Sequence, residues 1–404
     1  MKKKFKKKFN NFFKNKDTFT VVEVVIIIMV AMLLGVVIGA VISYHNSFND
    51  NNVQEFIDVY NDISNNYYDD KLDKEKLVEA GIEGMINSLD DPYSEYFNVE
   101  ESESFNQSVN GNYVGIGTTV AVDQEGIAYI LGVFENSPAY ESGLKVNDIF
   151  VKIDKTDVSK TDIDTLTGLI KGEAGSFVNI VVKRGDEELS FKLKREVVDI
   201  PSVSSKLVEE DGKKIGVLNV SMFASNTYEQ FNKELDDLES KEIDSLIIDV
   251  RSNPGGHLNQ VSSMLSLFLD KGKVLYQLES KGKVEKFLDE TKESRDYPIV
   301  VLVDGMSASA SELFSVGLKE SYKNIDIVGV QTYGKGSVQE AYEIGSGSTY
   351  KYTVQKWLSP KGNSIDKLGV SPTVEVKLDE KYLNGPTLEN DNQYQKALEI
   401  LKSK

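Results

Sequence analysis

Four short runs in this 404-residue chain combine residue types that can supply a nucleophile, a base, an anion-binding turn or a strand edge for a ligand. The first is Val303-Asp304-Gly305-Met306-Ser307-Ala308-Ser309-Ala310-Ser311-Glu312. An apolar stretch ends there, small residues permit a tight turn, and helix-forming residues follow. The start of a helix presents free N–H groups and a positive dipole end, which stabilise an anion. A serine in such a turn can act as a nucleophile, and Ser307, Ser309 and Ser311 can equally be caps or small packing residues. The second run is Thr332-Tyr333-Gly334-Lys335-Gly336-Ser337-Val338-Gln339. Glycines on both sides of Lys335 allow close backbone approach to its amine. Buried, that amine holds its proton weakly and can serve as a general base; exposed, it is an ordinary turn lysine. Gly329 and Gly334 have P-loop spacing, but Gly336 stands where a magnesium-binding hydroxyl is required, so nucleotide binding is rejected. The third run, Asp249 to His257, contains Pro254-Gly255-Gly256. Its backbone N–H groups can form half of an oxyanion hole, or the turn can simply pack on a sheet. The fourth, Tyr113-Val114-Gly115-Ile116-Gly117, is a Gly-x-Gly loop ahead of a strand. Such a loop can hold a terminal carboxylate while the strand takes the peptide by β-augmentation.

Composition removes competing chemistry. Cysteine is absent, which excludes thiol nucleophiles, disulfides and thiolate metal sites. Two histidines, His45 and His257, are too few for a multi-histidine metal centre, and no metal or organic cofactor is implied. His257 is the one histidine placed to rival Lys335 as a base. The net charge is −18, yet the first 23 residues hold eight lysines against two acids. The remainder is therefore still more acidic than the total, which disfavours nucleic acid as a partner.

Elements must position these runs. Residues 24–44 carry no charge and, as a helix, are long enough to cross a bilayer. Lysines crowd only their front flank, which places residues 1–23 in the cytoplasm and the rest outside. The length favours an uncleaved anchor over a signal peptide, whose apolar core is shorter. Gly35 and Gly39 form a GxxxG that could pair two such helices into a homodimer. Residues 45–52 read as a tether. Residues 53–103 show helical spacing, with Asp73 as an N-cap. Residues 104–195 switch to short strands separated by glycine turns, with helices near 138–142 and 161–170. In residues 196–378 buried strands such as SLIID and PIVVLV alternate with helices, which indicates an α/β core with parallel sheet. Residues 379–404 close with one helix.

Taken together, the motifs LDDPYSEYF (89–97), VGIG (114–117), SPAYESGLKVNDIFVKID (137–154), DVRSNPGG (249–256), SASASE (307–312), YGKGSVQ (333–339) and LSPKGNSID (358–366) resemble the carboxyl-terminal processing peptidases. These are S41-type serine proteases. The resemblance covers nearly everything from residue 53 to 401. It implies an α/β, ClpP/crotonase-like protease core with an inserted PDZ domain. It implies Ser309 as nucleophile, with Ser307 and Ser311 as fallbacks, Lys335 as general base, and Gln339 orienting the lysine. It places the oxyanion hole at Ala310 and the Gly255–Gly256 turn, and tail binding at Val114, Gly115, Ile116 and Gly117. It further implies that the PDZ domain gates activity through a loop in which relatives use arginine and this chain has Lys171. Protein substrates with exposed carboxyl termini, cleaved at a bacterial cell surface, are the expected partners. The alternative is an inactive PDZ adaptor that binds tails without cutting them.

Overall fold

The computed structural model describes Val24, residues 28–39 and residues 51–404, in two compact units that meet in sequence at Gly84 and Met85. In the first unit, Val24 and residues 28–39 are helical. Among the described residues no helix is long and apolar enough to cross a membrane. The rest of the expected span, the basic segment 1–23 and residues 45–50 lie outside the described residues. Helix α1 (Asn51–Asn66) starts inside the expected tether, and α2 (Lys74–Asn87) runs up to and across the unit boundary. Asp73 caps α2, as its sequence suggests, by accepting from the N–H groups of Glu75 and Lys76. A Cβ on Gly81 would sit 2.9 Å from the tip of the Phe56 ring, so glycine lets α1 pack closely on α2.

The second unit opens with β1 (Glu95–Phe97) and α3 (Val99–Asn110). α3 crosses the expected domain boundary at 103/104, which therefore falls inside a helix. It is held by its ends: Asn98 accepts from Glu100 and Glu101, Glu101 answers the Asn98 N–H, and Gly111 closes it at φ +70°.

The β-rich module follows: β2 (Asn112–Gly115), β3 (Thr118–Val122), β4 (Ala128–Val133), α4 (Pro138–Ser142), β5 (Ile149–Ile153), β6 (Thr156–Asp157), α5 (Ile163–Ile170), β7 (Phe177–Arg184), β8 (Glu187–Lys194) and β9 (Glu196–Asp199). Its antiparallel sheet runs β3-β4-β5-β7-β8, closed over Ile116, Ile130, Phe150, Leu166 and Ile180. Residues 112–122 form two strands, not one. Gly117, at φ +83°, turns the chain so that β2 pairs with β9 while β3 joins the sheet. Entry and exit of the module are thus one two-stranded ladder.

The core contains β10 (Val203–Glu210), β11 (Lys213–Val220), α6 (Thr227–Ser240), β12 (Ser245–Asp249), α7 (Leu258–Ser266), β13 (Val274–Ser280), β14 (Lys283–Leu288), β15 (Ile299–Val303), α8 (Ala310–Ser321), β16 (Ile325–Gly329), β17 (Ser337–Glu343), β18 (Thr349–Leu358), β19 (Val374–Glu375), α9 (Glu380–Asn384) and α10 (Asn392–Lys402). One sheet runs β10-β11-β12-β15-β16-β19, parallel from β11 onward. Alternation along the IVVLV strand explains its unbroken apolarity. Ile299, Val301 and Val303 face α6, α7 and α8, whereas Val300 and Leu302 face α10. A second sheet runs β1-β18-β13-β14, with β17 also paired to β18.

The C-terminal end of β12 is locked by a buried ion cluster. Arg251 pairs with both oxygens of Asp249 at 2.9 and 2.6 Å and reaches Asp391 and Gln393 ahead of and on α10. Asp391 is 1% exposed, so its charge depends on this partner.

Candidate active site

The parallel sheet delivers two turns side by side at the carboxyl ends of β12 and β15. The Ala308 N–H donates to the Asn253 carbonyl at 3.0 Å, and the Ser311 hydroxyl donates to the same oxygen at 2.9 Å. Asn253 is fully buried, and its amide donates to Val220 in β11. It thereby fastens the Pro-Gly-Gly turn to the serine turn. At Gly255, φ +104°, a Cβ would sit 2.7 Å from the Ala308 carbonyl oxygen and 2.9 Å from the Ala310 nitrogen. Only glycine allows the turns to touch.

The three serines divide cleanly. Ser307 is buried and its hydroxyl donates to Val250 O at 2.8 Å. Ser311 is buried and bound to Asn253 as described. Ser309 is partly exposed, sits at the N-cap of α8, and holds φ +52° and ψ −112°. A residue with a Cβ rarely adopts that conformation. The surrounding turn therefore imposes it.

The Ala310 N–H, at the first turn of α8, and the Gly256 N–H meet no acceptor among the described residues. Gly255 is corrected from the expected role. Its N–H donates to Asn253 Oδ1 at 2.8 Å, so its part is close packing and only Gly256 of the pair offers a free donor.

Glu312 is the residue the sequence reading passed over. It is fully buried, and all four groups that meet it donate. The Ser309 N–H reaches Oε2 at 2.8 Å and the Lys335 N–H reaches the same oxygen at 2.9 Å. The Gly334 N–H and the Thr332 hydroxyl reach Oε1 at 2.7 and 2.6 Å. One carboxylate therefore joins the backbone of the serine turn to that of the lysine loop. Burial raises its pKa, and those donors oppose the rise.

Lys335 is half-buried. Burial lowers its pKa, the Lys351 charge lowers it further, and Asp91 and Glu312 pull it back. Its Nζ lies 4.5 Å from the centre of the Tyr93 ring. The amine itself makes no hydrogen bond or ion pair with a described residue, Ser309 included. Its carbonyl accepts from the Trp357 indole at 3.0 Å.

The Gln339 amide makes no hydrogen bond to Lys335. Its amide donates to Ser337 Oγ at 2.8 Å and Thr353 Oγ1 at 3.0 Å, and Thr353 donates to Asp91 at 2.6 Å. Its link to the lysine runs through that carboxylate. His257 is turned elsewhere, its Nε2 lying 3.1 Å from both Ser225 Oγ and Val109 O.

In the module, Gly115, Ile116 and Gly117 are buried and Val114 half-buried beside the edge strand β3. The Tyr113 hydroxyl, folded back over Gly115, accepts the Thr118 N–H at 3.2 Å. Lys171 extends its amine 3.4 Å from Gln107 on α3. An arginine does serve this loop, from a distant position: Arg195, 8% exposed, donates to the carbonyls of Leu169, Ile170 and Phe177 and closes α5.

Comparison with known proteins identifies three regions of the chain. Residues 214–376 match the model of peptidase family S41, residues 113–194 match a PDZ domain, and residues 40–101 match the activating protease CtpB N-terminal domain. The chain is 37% identical over 324 residues to the carboxy-terminal processing protease CtpB of Bacillus subtilis, covering 80% of this chain and 67% of that protein. It is 36% identical over 331 residues to CtpA of the same organism, covering 81% and 70%. A solved structure from Bacteroides fragilis, provisionally assigned to the S41 proteases, superposes with a TM-score of 0.52 at 16% identity. It covers 80% of this chain and 90% of that one, a likeness of fold alone.

Proposed function

The chain belongs to the S41 peptidases, as a carboxy-terminal processing serine protease with a PDZ domain, and from that premise we propose how it works and where. Ser309 is the nucleophile and Lys335 the general base. The neutral amine takes the Ser309 proton as Oγ attacks the substrate carbonyl. The N–H groups of Ala310 and Gly256 receive the developing oxyanion. The ammonium then protonates the leaving amine, leaving an acyl-enzyme. Water, deprotonated by Lys335, attacks the ester, and the proton returns to Ser309 as the new carboxylate departs. The observation that carries this reading is the commitment of the hydroxyls. Ser307 and Ser311 are bound to buried carbonyls, while Ser309 opens from a helix start that Glu312 ties to the lysine loop.

The Gly115–Gly117 loop and the free edge of β3 capture the carboxyl-terminal tail of a protein substrate. Binding at the module then completes the active site. The separation of Lys335 Nζ from Ser309 supports this gating, because the pair needs a shift before a proton can pass. Lys171, through Gln107, is the contact that transmits it. The apolar run 24–44 behind its lysines anchors the enzyme with its catalytic part on the outer face of a bacterial membrane, where Gly35 and Gly39 can pair two anchors.

The test is mass spectrometry of protein and peptide substrates digested by the parent and by Ser309→Ala. New termini should appear near apolar carboxyl-terminal tails with the parent only. Equal cleavage by the Ala variant refutes Ser309 as nucleophile.

A further inference from the structure

We propose that Tyr93 is a positioning residue for Lys335: its ring face holds the lysine amine in the resting enzyme, and the amine must leave that face to reach Ser309. The proposal rests on the Ser309–Lys335 reading above. The contact is 4.5 Å from nitrogen to ring centre, and it is the one close partner the amine has among the described residues. A ring face carries partial negative charge, so it attracts an ammonium and gives a neutral amine little. A base parked there is kept protonated and away from the hydroxyl.

Tyr93 is placed with care for such a role. Its N–H donates to Asp91 Oδ1 at 3.1 Å, and Asp91 Oδ2 accepts the hydroxyls of Ser94 and Thr353, both at 2.6 Å. Thr353 also takes the Gln339 amide. The turn bearing the ring is therefore fastened to β17 and β18, the strands that follow Lys335. Burial and the neighbouring Tyr333 push the pKa of the Tyr93 hydroxyl up to about 12, so the ring stays neutral.

The other charged groups facing the amine are Lys351, Asp91 and Glu312. Lys351 is itself engaged, paired with Glu95 at 3.0 Å and lying over Phe97. Burial and Lys351 push the Lys335 proton off; Asp91, Glu312 and the ring retain it.

The experiment compares pH profiles of kcat/KM for the full chain, Tyr93→Phe and Tyr93→Leu. Leucine removes the ring face and should move the rising limb roughly half a unit to one unit toward lower pH. Phenylalanine keeps the face and should keep the parent's limb. A limb unmoved in Tyr93→Leu, or moved equally in Tyr93→Phe, overturns the proposal. A second readout is independent of turnover. The methylene protons beside Nζ, identified by their loss in Lys335→Met, should resonate upfield under the ring current in the parent and in Tyr93→Phe. A parent resonance at the ordinary lysine position overturns the proposal whether or not the leucine variant folds. Failure of the underlying reading looks different: Lys335→Met would then retain cleavage.

Discussion

Replacing Glu312 with glutamine keeps the shape of the side chain and turns one acceptor oxygen into a donor. Every group that meets Glu312 is a donor, so no orientation of the amide fits. With NH2 in the place of Oε2, two backbone N–H groups, those of Ser309 and Lys335, face another donor. With NH2 in the place of Oε1, the Gly334 N–H is stranded, and the Thr332 hydroxyl already accepts from the Val370 N–H. The milder arrangement leaves one buried N–H unmet, about 1–3 kcal/mol. A neutral amide is also easier to bury than a carboxylate, which offsets part of the loss in stability. It does nothing for alignment, because the Gly334 N–H loses its acceptor and the lysine loop is held to Glu312 by the Lys335 N–H alone. The expected result is kcat/KM lower by roughly 10-fold to 100-fold, with a smaller fall in thermal stability. A fluorogenic peptide assay and a melting curve on the same samples measure both. Cleavage within threefold of the parent would refute the idea that Glu312 aligns the site.

Other outcomes follow from the same geometry. Lys335→Arg should leave the fold intact and remove activity, since guanidinium does not give up its proton. In the parent, activity should rise with pH through a value below the ordinary lysine figure of about 10.4, because burial lowers the Lys335 pKa. Since folding weakens its hold on the proton, the parent should also gain stability over Lys335→Met as pH climbs through that window, read by chemical denaturation at several pH values. Ser309→Gly should be inactive yet melt higher than Ser309→Ala, because glycine accepts φ +52° without the roughly 1–3 kcal/mol of strain a Cβ brings. Arg251→Met should destabilise the chain by about 3–5 kcal/mol in urea titration, because it strands the buried Asp391 charge; an unchanged midpoint would refute that dependence.

Much of the scaffold was legible because burial on both faces leaves an unmistakable sign. Ser245–Asp249 and Ile299–Val303 read as buried strands and fold as such, and α4 occupies the bounds its proline and glycine announce. α3 lacked an apolar stripe, and its Asn98–Glu101 capping box was the available clue. β17 ends in the exposed run Glu340 to Glu343, so its pairing with β18 carries little apolar pattern.

The residue types of the site, and their order along the chain, were properties of the sequence: a serine at a helix start, a lysine between glycines, a Pro-Gly-Gly turn. Which of three serines opens outward, which glycine keeps a free N–H, and that a buried carboxylate and a tyrosine ring hold the lysine were decided by tertiary structure. Hydrogen-bond commitment and burial depend on partners 20 to 262 residues away, such as Thr332 for Glu312 and Thr353 for Asp91, and no local pattern records them.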